Sequence, residues 1–166
     1  MMKTLFLIRH AKSSWNQPGL SDHNRPLNNR GLRDVPLMAQ RIANWDPHPE
    51  KIVSSSAVRA RLTAEAVADA MGFAASDIVI EPRIYEASVA DLLAVIRGLN
   101  KEMDCIALVG HNPGFTEVAN LLGNCDIDNV PTSGVVVLAF QISEWHSVTP
   151  ENGQLMAFDY PKKHQG

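Results

Sequence analysis

The chain has 166 residues, of which 45% are hydrophobic and 20% charged, an ordinary balance for one globular domain over residues 1–166. Its net charge of −3 provides no basic field of the kind that binds nucleic acid or an anionic membrane. The two cysteines make no disulfide framework, and the N-terminal apolar run is too short for a signal peptide or a membrane span. These features predict a cytoplasmic protein with no nucleic-acid and no membrane partner.

The first predicted element is a buried strand over residues 4–8, an apolar run bounded by charged residues. Apolar residues at helical spacing then predict a helix from Gly31 to Trp45, with Asn28 or Asn29 as its N-cap. Pro36 fits such a helix only near the first turn, because a proline further inside removes a backbone hydrogen bond.

The rest of the chain continues the alternation of strands and helices. Further strands are predicted at residues 51–54, 78–80, 105–109, 135–142 and 154–158. Further helices are predicted at residues 57–71, 89–99 and 115–122, the first and last of them ended by glycines. This order predicts an α/β fold: a single-domain, three-layer α/β/α sandwich whose central sheet is mostly parallel.

Side chains suited to phosphate chemistry follow three predicted strands. Arg9 and His10 end the first strand, the helix after the second carries Arg59, and His111 follows the strand at residues 105–109. Because ligands of such sheets bind beyond the carboxyl ends of the strands, we expect two histidines and two arginines at one edge. Arginine binds phosphate oxygens bidentately, and a histidine of near-neutral pKa is a nucleophile at physiological pH.

Each of these features alone has a simpler explanation. An Arg-His pair after a strand is usually ordinary surface, and an arginine on a helix face is by default a solvated charge. The Gly-His-Asn-Pro-Gly segment at residues 110–114 fits equally well as a turn that caps the following helix. The joint position of all three features at strand ends is what favours a functional site.

Five motifs in order resemble those of the histidine phosphatase superfamily, also called the phosphoglycerate mutase-like fold. They are LIRHAKS, RPLNNRG, SSSAVRARLTA, YEAS and GHNPG, at residues 7–13, 25–31, 54–64, 85–88 and 110–114. The Ala-Lys-Ser continuation of the first motif is similar to the small SixA-like branch, the phosphohistidine phosphatases. The resemblance covers residues 3 to about 160 and implies this fold together with phosphatase activity.

The resemblance implies roles for the residues that match the motifs. His10 corresponds to the nucleophile that becomes transiently phosphorylated. Arg9, Arg59 and His111 correspond to the phosphate pocket. Asn16 falls where many members of the wider superfamily carry an asparagine near the phosphate.

The proton donor is left open by the same comparison. Glu86 matches the region that supplies a general acid in some branches, but the SixA-like branch uses no clear carboxylate there. The alternative for Glu86 is a loop carboxylate paired with Arg83. Asp22 is a second candidate acid, and a site with no acid is the third possibility.

The implied reaction places charge around the phosphate. His111 is expected to be protonated by the field of the dianion, whereas His10 must be neutral, with a backbone carbonyl holding its second ring nitrogen. Water then hydrolyses the phosphohistidine. The arginines supply the positive charge, so no metal and no cofactor is predicted. The remaining histidines are expected at the surface, namely His23, His48, His146 and His164.

Two substrate classes and one class without catalysis stay open. The first substrate is a phosphorylated protein carrying phosphohistidine, for example a histidine-containing phosphotransfer domain. A chain of this length leaves little for a lid, which predicts a shallow, open site, and the labile P–N bond reduces the need for an acid. The second is a small phosphorylated metabolite or a phosphoserine or phosphothreonine protein, for which Glu86 would matter. The third alternative is a phosphate-binding module that performs no chemistry.

Overall fold

The computed structural model describes residues 2–164. Its strands are β1 (Lys3–Arg9), β2 (Lys51–Ser54), β3 (Val79–Ile80), β4 (Cys105–Gly110), β5 (Val135–Phe140) and β6 (Gly153–Asp159). Its α-helices are α1 (Asn29–Ala43), α2 (Val58–Ala70), α3 (Val89–Arg97) and α4 (Gly114–Gly123). Every predicted element is present, and its ends lie within about two residues of the prediction. In the described part of the chain, no helix combines the length and the apolar character that crossing a membrane requires.

The six strands form one mixed sheet in the order β3-β2-β4-β1-β5-β6. The first four in this order are parallel, whereas β5 is antiparallel to both of its neighbours. The predicted α/β fold with a mostly parallel sheet is therefore confirmed, with β5 as the reversed strand. Because β5 runs backwards, its first residue, Val135, pairs with Ile8 at the carboxyl end of β1. The turn before β5 thus reaches the edge of the sheet where β1 and β4 end.

The alternation of side chains in β1 shows how both faces of the sheet are covered. Leu5 and Leu7 pack into the cluster that contains the apolar residues of α3 and α4. Phe6 and Ile8 point the other way and pack with the apolar residues of α1 and α2. All four side chains are at most 1% exposed, and burial of each stabilises the fold by about 1.5–3 kcal/mol. The predicted three-layer arrangement follows directly from this division.

Helix α1 contradicts one prediction. Its N-cap is Asn28, whose side-chain oxygen accepts the N–H of Gly31 at 2.9 Å, but Pro36 lies in the middle of the helix and not in the first turn. Pro36 leaves the carbonyl of Leu32 without its helical donor, and both residues are exposed, so water can satisfy that carbonyl. The helix persists because its opposite face is buried through Val35, Met38, Ala39 and Ile42.

The loop after β1 is packed tightly on the start of α1. The N–H of Asn28 donates to the carbonyl oxygen of Lys12 at 2.9 Å. A Cβ atom on Gly31 would lie 2.2 Å from that same oxygen, so the approach requires glycine. Ser13 and Leu27 form a short antiparallel bridge beside it. These contacts fix the loop that begins with His10.

Candidate active site

The ends of β1, β2 and β4 bring the predicted residues into one buried cluster. The ring of His10, after β1, lies with its centroid 5.2 Å from that of His111, after β4. Arg59, in the first turn of α2, places its Nε 3.4 Å from His10 Nε2. The exposed fractions of His10, Arg59 and His111 are 7%, 6% and 9%. The three side chains are therefore almost completely buried, while the shallow, open character of the site stays a prediction.

His10 is held through one ring nitrogen and presents the other. Its Nδ1 lies 2.7 Å from the carbonyl oxygen of Ala11, and since a carbonyl can only accept, Nδ1 carries the proton. Nε2 therefore has a free lone pair, which faces the Nε–H of Arg59. Burial lowers the pKa of His10 more than the bond to Ala11 raises it, and with the charges of Arg59 and Arg9 brings it to about 4. At neutral pH, Nε2 is a nucleophilic atom.

We expect a titration of His10 to show this directly. Protonation adds a positive charge to a buried ring beside arginines, so the neutral form should persist until the pH falls to about 4. An unperturbed histidine would already titrate near pH 6.5. An NMR titration of the ring protons, assigned by their loss in His10→Ala, measures the midpoint. A midpoint at about 6 or above would show that burial and the arginines do not act on His10.

His111 is bonded through one ring nitrogen only. Its Nε2 lies 2.7 Å from the hydroxyl of Ser55, and its Nδ1 is buried with no partner among the described residues. Burial, followed by the neighbouring His10 and Arg59, lowers the pKa of His111 to about 3. His111 is therefore neutral in the free protein. The imidazolium predicted from the sequence requires a bound dianion, whose charge raises the pKa.

Arg9 reaches the cluster beside the turn that precedes β5. One terminal nitrogen of Arg9, Nη1, donates to the carbonyl of Val130 at 3.0 Å. The N–H of Ser133 donates to the carbonyls of Arg9 and His10, each at 3.1 Å. Within residues 2–164, neither Nε of Arg9 nor the hydroxyl of Ser133 has a hydrogen-bond partner, although both are buried. Nδ1 of His111 is likewise buried without a partner among the described residues.

Positive charge at the cluster comes from arginine. Burial and then the charge of Arg59 lower the pKa of Arg9, as expected for two guanidinium groups near one another. A phosphate dianion would relieve the repulsion between them. Across the described residues, no group of three or more His, Cys, Asp or Glu side chains is arranged to hold a metal ion.

Asp22 bonds directly to the guanidinium of Arg59, and Arg25 and Tyr85 in turn bond to Asp22. Nη1 and Nη2 of Arg59 donate to the backbone oxygen and to Oδ2 of Asp22 at 2.7 and 3.0 Å. The hydroxyl of Tyr85 donates to the same Oδ2 at 2.6 Å, and Arg25 donates twice to Oδ1 at 2.9 and 3.1 Å. Burial would raise the pKa of Asp22, but these hydrogen bonds hold it below its ordinary value. Asp22 is a fully bonded carboxylate, which argues against its predicted role as a proton donor.

A cleft of about 440 Å³ opens beside the cluster, and Glu86 lines it together with Tyr85 and His111. Glu86 is exposed and its backbone φ is 55°, in the left-handed region. The alternative prediction, an ion pair between Glu86 and Arg83, is wrong. Arg83 pairs at 2.8 Å with Glu81, which also accepts its backbone N–H, because the two residues share one short turn. Among residues 2–164, the carboxylate of Glu86 has no ion-pair partner, and it lines the cleft.

Asn16 lies in a loop outside the cleft, and His23 is more buried than predicted. Asn16 is exposed in the loop after β1, is not among the residues that line the cleft, and donates its backbone N–H to Ser14 at 3.1 Å. His23, predicted at the surface, is half-buried and packs edge-on against Tyr85 with a centroid separation of 4.9 Å. The other three histidines outside the cluster are exposed as predicted, namely His48, His146 and His164.

Comparison with known proteins identifies the family. The model of the histidine phosphatase superfamily (branch 1) matches residues 5–103, which include His10 and Arg59. The chain belongs to the histidine phosphatase superfamily. This membership confirms the family predicted from the five motifs and makes the protein a phosphatase.

Individual histidine phosphatases and related proteins agree with the assignment. A protein of Agrobacterium tumefaciens assigned as a phosphohistidine phosphatase SixA has a TM-score of 0.79 and 30% identity, covering 96% of this chain and 98% of that one. A chloroplastic protein of Arabidopsis thaliana is 31% identical over 83% of this chain and 67% of its own length. Phosphoserine phosphatase 1 of Hydrogenobacter thermophilus is 36% identical over 51% of this chain and 39% of its own length. The fold is thus SixA-like over nearly the whole chain.

Proposed function

We propose that this histidine phosphatase hydrolyses phosphohistidine on a protein, such as a histidine-containing phosphotransfer domain, through a phosphorylated His10 and without a metal. The observation that carries the proposal is the neutral His10, whose Nδ1–H is bonded to Ala11 while Nε2 faces Arg59. A cytoplasmic location is part of the proposal. It is supported by the free thiols of Cys105 and Cys125, which suit a reducing compartment.

The reaction consists of two displacements at phosphorus. First, the lone pair of His10 Nε2 attacks the phosphorus, the P–N bond of the substrate breaks, and its electron pair returns to the substrate imidazole. When the other nitrogen of that imidazole carries a proton, the ring leaves neutral and needs no further acid. Arg9, Arg59 and His111 bind the phosphoryl oxygens during the transfer.

The second displacement restores the enzyme. Water attacks the phosphorus on His10 and gives up a proton to solvent, the Nε2–P bond breaks, and its electron pair returns to His10. The products are inorganic phosphate and the neutral imidazole. The bond between Nδ1–H and Ala11 keeps the same nitrogen available for the next cycle.

The carboxylates near the cluster support a substrate that needs no strong acid. Asp22 accepts four side-chain hydrogen bonds, two at each of its carboxylate oxygens, and Glu86 stands exposed at the rim of the cleft. The cleft beside the cluster, which Arg59 and His111 line, has room for a substrate side chain. The similarity to a protein assigned as a phosphohistidine phosphatase, at 30% identity over 96% of the chain, agrees with this choice.

A phosphomonoesterase acting on a small metabolite or a phosphoserine or phosphothreonine protein is the second candidate. An alkoxide leaving group needs a proton, and Glu86 is a carboxylate that lines the cleft. The partial match to a phosphoserine phosphatase also favours this candidate. In that case Glu86 would be the general acid.

A substrate comparison separates the two candidates. We expect kcat/KM for a phosphohistidine-carrying phosphotransfer domain to exceed that for a phosphoserine peptide, or for sugar phosphates, by on the order of 100-fold, about 2.7 kcal/mol of transition-state stabilisation. EDTA should leave the rate unchanged, and Glu86→Gln should alter phosphohistidine turnover by less than about 2-fold. Faster phosphoserine turnover that Glu86→Gln abolishes would establish the second candidate instead. Loss of activity in EDTA would contradict both.

A further inference from the structure

Asp22 is the point at which the hydrogen bonds around Arg59 converge, and it lines the cleft beside the cluster. We propose that Asp22 is a positioning residue: its carboxylate and backbone carbonyl hold the terminal edge of the Arg59 guanidinium, so that the Nε edge faces the nucleophile and the phosphoryl group bound there. The inference rests on the proposed role of His10 as nucleophile, but not on the identity of the substrate.

The shape of the guanidinium gives the first argument. A guanidinium has five N–H donors on two bidentate edges, one formed by the terminal nitrogens and the other by Nε with one terminal nitrogen. In Arg59 the terminal edge is occupied by Asp22 at 2.7 and 3.0 Å. The remaining edge is turned toward His10, with 3.4 Å between Nε and Nε2. A phosphoryl group arriving at Nε2 of His10 therefore meets an edge that is already oriented.

The second argument is that Asp22 is itself fixed. Arg25 donates to Oδ1 through two nitrogens, and Tyr85 donates to Oδ2. Arg25 is 8% exposed, donates to the hydroxyl of Ser13 at 2.7 Å, and lies over the ring of Trp15 at 3.5 Å. Ser13 and Trp15 belong to the loop that starts with His10. The path from Ser13 through Arg25 and Asp22 thus ties Arg59 to the loop of the nucleophile.

The third argument concerns charge. Two guanidinium groups approach the same carboxylate, and Asp22 offsets their mutual repulsion while it keeps Arg59 in one orientation. A protonated Asp22 would place a hydrogen among donors from Arg25, Arg59 and Tyr85. Asp22 is therefore suited to hold Arg59 and not to donate a proton to a leaving group.

A double-mutant cycle tests the inference with p-nitrophenyl phosphate, which needs no phosphoprotein. Asp22→Asn keeps the size of the side chain and one acceptor for Tyr85 but loses the charge. We expect kcat to fall by about 30- to 100-fold with KM changed by less than about 3-fold, because a misplaced guanidinium weakens the transition state more than the ground state. In the Arg59→Ala background, the same substitution should change kcat by less than about 2-fold. The matched control is Asp69→Asn, which alters an exposed carboxylate on α2, the helix of Arg59. This variant should have the kcat and KM of the wild type.

Two results would overturn the inference. An Asp22→Asn loss that is equally large in the Arg59→Ala background, or that grows as the leaving group becomes more basic, would make Asp22 a proton donor. An increase in kcat would make its carboxylate a competitor of the substrate for Arg59. If Asp22→Asn fails to fold by circular dichroism, Tyr85→Phe removes one bond to Oδ2 and should give an intermediate loss of about 3- to 10-fold that is again absent without Arg59. Retention of activity by His10→Ala would instead contradict the role of His10 as the nucleophile, an outcome distinct from the two above.

Discussion

Replacing His10 by alanine is expected to lower kcat by about 10⁴-fold or more, because the variant has no atom that can form the phosphorylated intermediate. Rapid quenching of the wild-type protein with radiolabelled substrate should trap an acid-labile, base-stable phosphoenzyme. The same experiment on His10→Ala should yield no labelled protein.

The control for this experiment is His146→Ala, which removes an exposed histidine and should retain full activity. Vanadate or tungstate binding, measured by calorimetry, should persist in His10→Ala within about 10-fold, because Arg9, Arg59 and His111 remain. That result would show that the pocket is intact and only the nucleophile is lost. Turnover of His10→Ala above about 1% of wild type, or a labelled variant, would mean that another atom attacks the phosphorus.

Arg59→Lys is expected to lower kcat/KM by about 10²- to 10³-fold, nearly as much as Arg59→Ala. The guanidinium bonds at once to His10 Nε2 and to two oxygens of Asp22, at 3.4, 2.7 and 3.0 Å. An ammonium group carries the same charge but has no planar fork, so it cannot hold Asp22 and face the phosphoryl group together. Steady-state kinetics with p-nitrophenyl phosphate measures the loss.

Arg61→Lys is the matched control for Arg59, because Arg61 is exposed on the same turn of α2. It should leave kcat/KM within about 2-fold of wild type. Should Arg59→Lys keep more than about a third of the activity, positive charge alone would be sufficient and the oriented fork would have no role. Melting temperatures of all variants separate effects on chemistry from effects on folding.

The sequence predicts the elements that have a periodic or continuous apolar pattern. β1 is found because four consecutive apolar residues, Leu5 to Ile8, fill both faces of a covered sheet. The sequence also predicts that His10, Arg59 and His111 lie together. Parallel strands end at the same edge of a sheet, and ligands bind beyond that edge. The prediction for Pro36 is wrong because burial of one face of the helix outweighs the free-energy cost of a proline in its interior. That burial is visible only in the tertiary structure.

The parts that sequence reasoning missed have no such pattern. Ser133 and Val130 reach the site from the amino end of a strand, since β5 is antiparallel, and the rule for carboxyl ends cannot find them. The bonds of Asp22 to Arg25, Arg59 and Tyr85 join segments up to 63 positions apart in the chain. The sequences of the connecting loops have no periodic apolar pattern from which such contacts could be predicted. For Ser133 and Val130, the available sequence signal was the set of turn residues from Pro131 to Gly134, directly before a predicted strand.

The central position of β1 has a consequence for how the chain is made. The strand that precedes His10 is synthesised before both strands that flank it in the sheet, Cys105–Gly110 and Val135–Phe140. Ribosomes add about 5–20 residues per second, and contacts between such distant segments form only after both have emerged. A nascent chain that stops before Pro131 lacks one flank of β1 and also the turn whose Ser133 N–H bonds to Arg9 and His10. The surroundings of His10 can therefore be completed only after Val135–Phe140 has been synthesised.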